Sequence, residues 1–169
     1  MTNVSVMSRV AVILCIVIGT SFLSVVSLGP TIGASTQIPF EDVDWGYYCG
    51  ISTRKNLLIA DSQAWQDLWV SMKSGESELP PLPFVNFTAD LLVAVFLGEF
   101  GSSGYAANIT GVFLILTGYR IFVDEFHPDP NCGTLAVMTQ PYHTIRIPGA
   151  QQDFSATFAY SVHVVSCMP

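Results

Sequence analysis

The sequence has little charge and no basic patch. Only 11% of its 169 residues are charged, and six Lys and Arg stand against thirteen Asp and Glu, for a formal charge of −7. Because nucleic-acid binding relies on clustered basic residues that neutralise phosphates, this composition argues against DNA or RNA as a partner. The acidic residues are spread thinly without a run of like charge, which indicates solubility more than a ligand.

The chain also lacks the motifs of common catalytic, nucleotide and metal sites. It has no HExxH, no GxSxG and no GxxxxGK[ST]. No cysteine has a CxxC neighbour, and His127, His143 and His163 do not have the spacing of metal ligands. The scattered carboxylates are interpreted as solvated surface charge. We therefore expect a protein that is not an enzyme and that uses no metal or cofactor.

The N-terminal segment is set apart by its hydrophobicity. Residues 10–40 contain no charged residue, and residues 10–28 are nearly continuous apolar sequence. A stretch of this length spans a hydrocarbon core of about 30 Å as a helix. Arg9 before it and acidic residues after it favour a cytoplasmic N-terminus with the rest outside. Two interpretations stay open, a signal peptide cleaved near residues 33–35 and an uncleaved membrane anchor.

The chain beyond this segment has roughly 130 residues, enough for one domain with a core of its own. We expect residues 1–34 to be the signal peptide or anchor, residues 35–44 a linker, and residues 45–169 a single β-rich domain. The domain would be extracytoplasmic, either secreted or anchored to the membrane. Asn86 and Asn108 each begin an N-x-T triplet and are therefore glycosylation candidates there.

Three cysteines lie beyond the apolar segment, and an oxidising compartment favours one disulfide among them. Cys132 follows a proline-containing turn, and Cys167 ends the last predicted strand. We predict a Cys132–Cys167 disulfide that closes the C-terminal strand onto the sheet. Cys49 paired with Cys167 is the alternative.

One amphipathic helix is expected after Asp61, which is a suitable N-cap residue. Four large apolar residues, Trp65, Leu68, Trp69 and Met72, follow at i, i+3, i+4 and i+7 and form one face. Because this spacing is that of a helix packed on a core, we interpret both tryptophans as anchors of the helix on a sheet.

Several short segments predict strands, and residues 91–97, apolar at every position, are typical of a central strand covered on both faces. Short strands with a single helix predict an α+β, mainly β fold, an antiparallel sheet or sandwich with one helix, preceded by an N-terminal hydrophobic helix. The predicted strands are residues 45–51, 56–60, 91–97, 105–116, 119–126, 135–138, 143–147 and 155–166.

Five segments follow one another in an order that resembles a known family. They are residues 84–87 (FVNF), 93–98 (VAVFLG), 101–105 (GSSGY), 128–130 (PDP) and 140–148 (QPYHTIRIP). A strand, a glycine-rich loop ending in Gly-Tyr, a proline turn and a Pro-Tyr strand are similar to the C-terminal domain of the PrcB family, the protease complex subunit group. That family's loop usually reads Thr-Gly-Gly-Tyr, and Ser102 and Ser103 here take the place of Thr-Gly.

The resemblance implies an extracytoplasmic accessory domain that binds a protein partner, such as a secreted or surface protease. The loop is also similar to that of chagasin-like protease inhibitors, in which a loop ending in Thr-Gly-Tyr or Thr-Gly-Phe enters the protease cleft, so inhibition stays open as an alternative. A purely structural role for the two tyrosines, packed on the sheet, stays open as well. The expected partner-binding residues are Gly101, Ser102, Ser103, Gly104, Tyr105, Pro141 and Tyr142.

Overall fold

The computed structural model describes residues 35–151 and 153–166. The predicted signal peptide or anchor, with its hydrophobic helix, lies outside the described residues. Among the described residues, no helix has the length and hydrophobicity needed to cross a bilayer. The described elements are β1 (Thr36–Gln37), β2 (Glu41–Gly46), β3 (Lys55–Ile59), α1 (Ser62–Met72), β4 (Leu91–Phe96), β5 (Ala106–Ile115), β6 (Gly118–Pro128), β7 (Tyr142–Ile147) and β8 (Ser155–Val165).

The strands form two four-stranded sheets, which confirms a mainly β fold with one helix in the described part. The helix-side sheet has the order β2-β7-β4-β3, and every neighbouring pair in it is antiparallel. The outer sheet has the order β1-β5-β6-β8, in which β8 is parallel to β6. The parallel pair is possible because β7, in the other sheet, lies between β6 and β8 in sequence and supplies a long crossover.

Strand β4 lies between the helix and the outer sheet, as its apolar sequence predicts. Leu92 and Phe96 point towards α1, whereas Leu91, Val93 and Val95 point towards the outer sheet. Alternate residues of a strand face opposite sides of a sheet, so only a strand covered on both sides needs apolar residues throughout. All six residues of β4 are buried.

The helix begins and packs as predicted. The backbone N–H of Ala64 donates a hydrogen bond to the Asp61 side chain at 2.8 Å, which makes Asp61 the N-cap. Trp65, Leu68, Trp69 and Met72 are all buried against the helix-side sheet. The two tryptophans are therefore core anchors.

Two segments differ from the prediction, in which residues 35–44 are a linker and residues 135–138 a strand. Residues 35–44 contribute β1 and the first part of β2, whose acidic residues pair through the backbone with β7. Residues 135–138 form no strand, and only Thr139 makes an isolated bridge, to Phe100. Leu135 and Met138 are exposed because no sheet covers this segment. Hydrophobicity is thus a poor guide to both segments.

Candidate functional site

The loop that contains the predicted binding residues 101–105 spans residues 98–105 and leaves the end of β4 beside the segment that enters β7. The backbone N–H of Leu97 donates to the Pro141 carbonyl at 3.0 Å. Phe100 and Thr139 exchange two backbone hydrogen bonds of 2.8 and 2.9 Å. The glycine-rich loop and Pro141 therefore lie at the same end of the sandwich, but Pro141 is buried, so its expected role in partner binding is replaced by a packing role.

Hydrogen bonds to the neighbouring segment hold the loop in place. The Thr139 hydroxyl donates to the Ser102 carbonyl at 2.9 Å. The Ser103 N–H donates to the Leu135 carbonyl at 3.0 Å, and the Leu135 N–H donates back to the Ser103 hydroxyl at 2.9 Å. Gly101 is exposed and has open space around its Cα. The loop is thus fixed on both sides of Gly101, and Gly101 itself is open.

Gly104 places the loop against the end of β6. Its φ of +99° is a conformation that favours glycine. A Cβ at this position would lie 2.9 Å from the Pro128 Cβ, so only glycine permits this close approach. The proline turn and the glycine-rich loop are therefore in direct contact, as expected for one common surface.

Tyr105 is half-buried and forms an aromatic stack at the base of the loop. Its ring is parallel to that of Phe100, with centroids 3.9 Å apart and planes at 12°. The His127 ring meets it edge-on at 5.1 Å. Tyr105 therefore supports the loop and contributes only part of its surface to a partner.

Tyr142 is 3% exposed and lies in the core, so its expected role in partner binding is replaced by a packing role. Its ring stacks on Phe96, and its hydroxyl donates to Asp44 and accepts from Lys73, both at 2.9 Å. Lys73 and Asp44 also form an ion pair at 2.7 Å. Burial, with the Asp44 charge, raises the pKa of Tyr142 to about 12 despite Lys73. The strand alternation turns this side chain towards α1.

A groove runs from the loop along the start of β5. It consists of two adjoining cavities of about 540 and 380 Å³, which share Tyr47, Ala106 and Phe126. The first is otherwise lined by Tyr48, Ser103, Gly104, Tyr105, Thr139 and Val165, and the second by Asp42, Trp45, Gly46, Ala107, Asn108 and His143.

Exposed aromatic side chains form one wall of this groove. Trp45, Tyr47 and Tyr48 are 60%, 47% and 59% exposed, and the Trp45 and Tyr47 rings meet edge-on at 6.1 Å. The Tyr47 carbonyl accepts a hydrogen bond of 2.8 Å from the Gln140 N–H, which fixes this segment to the loop end. We call residues 45–48 the aromatic wall.

The sequence pattern predicts no functional role for the aromatic wall. Residues 45–51 are predicted as an edge strand, whereas β2 ends at Gly46 and the two tyrosines follow it. The available signal was three aromatic residues within four positions, without the alternation of a half-buried strand.

His143 lies at the inner end of the groove and connects the two sheets. Its Nδ1 accepts a hydrogen bond from the Ile109 N–H of β5 at 2.8 Å, so Nε2 carries the proton and donates to Asp42 at 3.0 Å. Burial lowers the pKa of His143, although Asp42 and Asp44 act in the opposite direction. The ring is therefore neutral near pH 7.

Substituting His143 with Gln should make stability less dependent on pH. Because the folded ring has a lowered pKa, the unfolded chain binds its proton first, and wild-type stability falls as the pH drops below about 6.5. The loss is at most about 1.4 kcal/mol per pH unit, until the folded ring also titrates. Denaturant unfolding between pH 7.5 and 5 should show a smaller loss for His143→Gln, with the exposed His163→Gln as control. Equal losses in wild type and His143→Gln would contradict this assignment.

The cysteines are only partly within the described residues. Cys49 is a half-buried free thiol, which excludes its pairing with Cys167, and burial raises its pKa. Cys132 is not free, and its Sγ lies 3.8 Å from the Val165 carbonyl at the end of β8. Cys167 lies outside the described residues, so the Cys132–Cys167 disulfide stays a prediction.

Both glycosylation candidates are exposed. Asn86 lies in a turn in which the Thr88 hydroxyl donates to its side-chain oxygen at 2.7 Å, and Asn108 lies on β5. Their modification stays a prediction. Within residues 35–151 and 153–166, no group of three or more His, Cys, Asp or Glu is arranged to hold a metal ion.

Residues 91–148 match the model of a family described as PrcB C-terminal. This match confirms the resemblance inferred from the sequence. It runs from β4 into the residue after β7 and includes the glycine-rich loop and Pro141, whereas the aromatic wall precedes it. No curated protein and no solved structure matches the chain.

Proposed function

We propose that this protein is a non-enzymatic, extracytoplasmic accessory domain that binds a protease through the loop end of its sandwich. The observation that carries the proposal is the groove formed by the loop and the aromatic wall. Its loop lies within the part of the chain that matches the PrcB C-terminal family, and the name of that family points to association with a protease complex. The extracytoplasmic compartment is the one that the hydrophobic N-terminal segment implies.

The composition of the loop end supports binding to a protein. Trp45, Tyr47 and Tyr48 together expose large aromatic rings beside a cavity. Aromatic side chains of this kind bury much area with few rotatable bonds, and they are enriched in the cores of protein interfaces. Exposed aromatic residues in one place cost solubility, so a binding role accounts for them better than a structural one.

The His and carboxylate groups near the groove are engaged in structural contacts. Both ring nitrogens of His143 are occupied, by the Ile109 N–H and by Asp42. A general base needs a free nitrogen beside the proton that it abstracts, and this ring offers none. The geometry of the described residues therefore favours a supporting role for His143.

Glu125 is likewise engaged in structural contacts. Glu125 is buried and accepts hydrogen bonds from Arg54 and from His127, the latter at 2.7 Å. Burial opposes the charge of Glu125, but these hydrogen bonds outweigh it and lower the pKa of the carboxyl group. A carboxylate held ionised in an ion pair is a poor proton donor, which again favours binding over catalysis.

The fixed loop favours an accessory subunit over an inhibitor. An inhibitory loop must enter a protease cleft, whereas Ser102 and Ser103 are tied to residues 135–139 by hydrogen bonds. Tyr105, the last residue of the loop, is stacked on Phe100 and only half-exposed. The loop end therefore presents a groove rather than a projecting tip.

The proposal is tested by incubating the full-length protein with secreted proteases of its native host and with papain-like and subtilisin-like proteases. Capture of a protease that keeps its activity is the expected result. Capture of a protease that loses its activity would show that the protein is an inhibitor and not an accessory subunit. Capture of none of these proteases, by a protein whose fold is verified by circular dichroism, would contradict both.

A further inference from the structure

We propose that the partner binds by adding an extended, basic-flanked segment to the open edge of β5, inside the groove. The inference rests on the proposed function and specifies how that function would be performed. Strand addition of this kind uses backbone hydrogen bonds for affinity and side-chain pockets for specificity. Three observations support it: an edge without a neighbouring strand among the described residues, a facing aromatic wall, and one exposed acidic side chain, Asp42, at the rim.

The first half of β5 has a strand on one side only. On one side, β6 pairs with β5 along its length. On the other side, β1 pairs only with Phe113 and Leu114, and the Ile38 N–H donates to the Val112 carbonyl. After Ile38 the chain leaves the outer sheet and forms β2 in the other sheet. Among the described residues, no strand lies beside Ala106–Ile109 on the β1 side.

The direction of the backbone groups is known at one position of this edge. The Ile109 N–H points to the His143 ring, and therefore away from β6. Residues two apart in a strand point the same way, so the N–H and C=O of Ala107 also point away from β6. Ala107 lines the groove, which places a donor and an acceptor that have no partner among the described residues at a cavity large enough for a further strand.

The aromatic wall, on the opposite side of the groove from β5, would accommodate the side chains of such a strand. Trp45 and Tyr47 face the small residues Ala106 and Ala107 across the second cavity, and the first cavity continues the groove towards Tyr105. Successive side chains of a strand alternate in direction, so two cavities in line suit alternate residues of one extended guest. Large aromatic walls and small facing residues favour apolar guest side chains.

The charge around the groove favours a guest with Lys or Arg at its ends. No Lys or Arg of the described chain lines either cavity, whereas Asp42 does, with 64% of its side chain exposed. Arg146, near this rim on β7, is already paired with Glu41 and Asp90. Uncompensated acidic charge at a rim steers basic partners and repels acidic ones.

The experiment uses two short synthetic peptides with the same alternating Val-Thr core, one flanked by Lys and one by Glu. Titration of each into the full-length protein, followed by fluorescence anisotropy, should show at least about tenfold tighter binding of the Lys-flanked peptide. The same peptide with central Pro residues, which lack N–H donors, should not bind. Equal binding of all three peptides, or of none, would overturn the proposal.

Amide hydrogen exchange locates the bound peptide. The Lys-flanked peptide should protect the Ala107 amide. Protection of β8, the other long edge of the outer sheet, instead of β5 would overturn the proposal. Protection of Ala107 without peptide would also overturn the proposal, because the groove would then already be occupied. Protection that rises with protein concentration would indicate a second copy of the chain. Protection that does not depend on concentration would indicate the chain's own N-terminal segment.

Substitution of the wall provides a matched comparison. Trp45→Ala, at an exposed position, should weaken binding of the Lys-flanked peptide by about tenfold or more. Leu116→Ala, at the 90% exposed hairpin tip, should leave binding of the same peptide unchanged. Equal affinities would contradict the proposal. If a protease is captured while β5 stays unprotected, strand addition is wrong and the proposed function stands. If the peptide protects β5 and no protease is captured, the proposed function fails and the groove remains a peptide site.

Discussion

Replacing Trp65 with Ala is expected to lower the free energy of unfolding by about 3–5 kcal/mol. Trp65 is 1% exposed and lies at the centre of the contact between α1 and the helix-side sheet. Its ring packs on Trp69 with centroids 5.3 Å apart, and its indole N–H donates to the Pro83 carbonyl at 3.0 Å. The substitution would remove apolar contacts, leave a cavity and remove the hydrogen bond to the partly buried Pro83 carbonyl, and each of these destabilises the fold.

Chemical denaturation followed by fluorescence measures this loss, and Val70→Ala on the same helix is the control. Val70 is half-exposed, so its truncation should change stability by no more than about 0.5 kcal/mol. The loss of stability for Trp65→Phe should lie between those for Trp65→Ala and Val70→Ala, because phenylalanine keeps an aromatic ring but lacks the indole N–H. Similar effects of Trp65→Ala and Val70→Ala would show that the helix does not depend on this anchor.

Gly104→Ala is expected to displace the loop and to reduce stability by about 1–3 kcal/mol. The substitution forces an L side chain to a φ of +99° and places its Cβ 2.9 Å from Pro128. Either the loop or the end of β6 must move to relieve this contact. Because the groove is built on the same loop, we expect binding of the partner to fall together with stability.

Gly101→Ala is the matched control, since a Cβ at Gly101 meets no atom within 4 Å. It should leave both the unfolding midpoint and partner binding close to the wild-type values. Thermal unfolding and protease capture, measured for both variants side by side, separate a loop held by Pro128 from a loop that is free. Wild-type behaviour of Gly104→Ala would contradict the close contact.

The sequence predicts those parts of the fold that depend on local pattern. The periodic spacing of Trp65, Leu68, Trp69 and Met72 is sufficient to find a helix and its buried face, and the apolar run of β4 is sufficient to find a strand covered on both sides. In both cases the buried positions carry apolar residues, so the sequence pattern shows directly which faces are buried.

Strand β2 could not be predicted in the same way. It is an edge strand whose partners are backbone groups of β7, and its acidic side chains remain partly or fully exposed. A pattern based on hydrophobicity therefore shows a polar segment, which resembles a linker. The exposed apolar residues Leu135 and Met138 mislead in the opposite direction.

The candidate site was predicted in part. The glycine-rich loop lines the groove as expected, whereas Pro141, at the same end of the sandwich, is buried. The direction of Tyr142 depends on which face of β7 meets α1, and the groove forms between residues 45–48 and β5, which are distant in sequence. Both depend on how the two sheets are stacked, which a single sequence does not specify.

The central claim, that the loop end is the partner contact, is tested most directly by replacing residues 101–104 with a flexible linker of equal length. Capture of the protease by wild type and by this variant should be compared at matched protein concentration, with thermal unfolding as the test of the fold. We predict that capture is lost while the variant still unfolds cooperatively. Undiminished capture by the folded variant would contradict the claim.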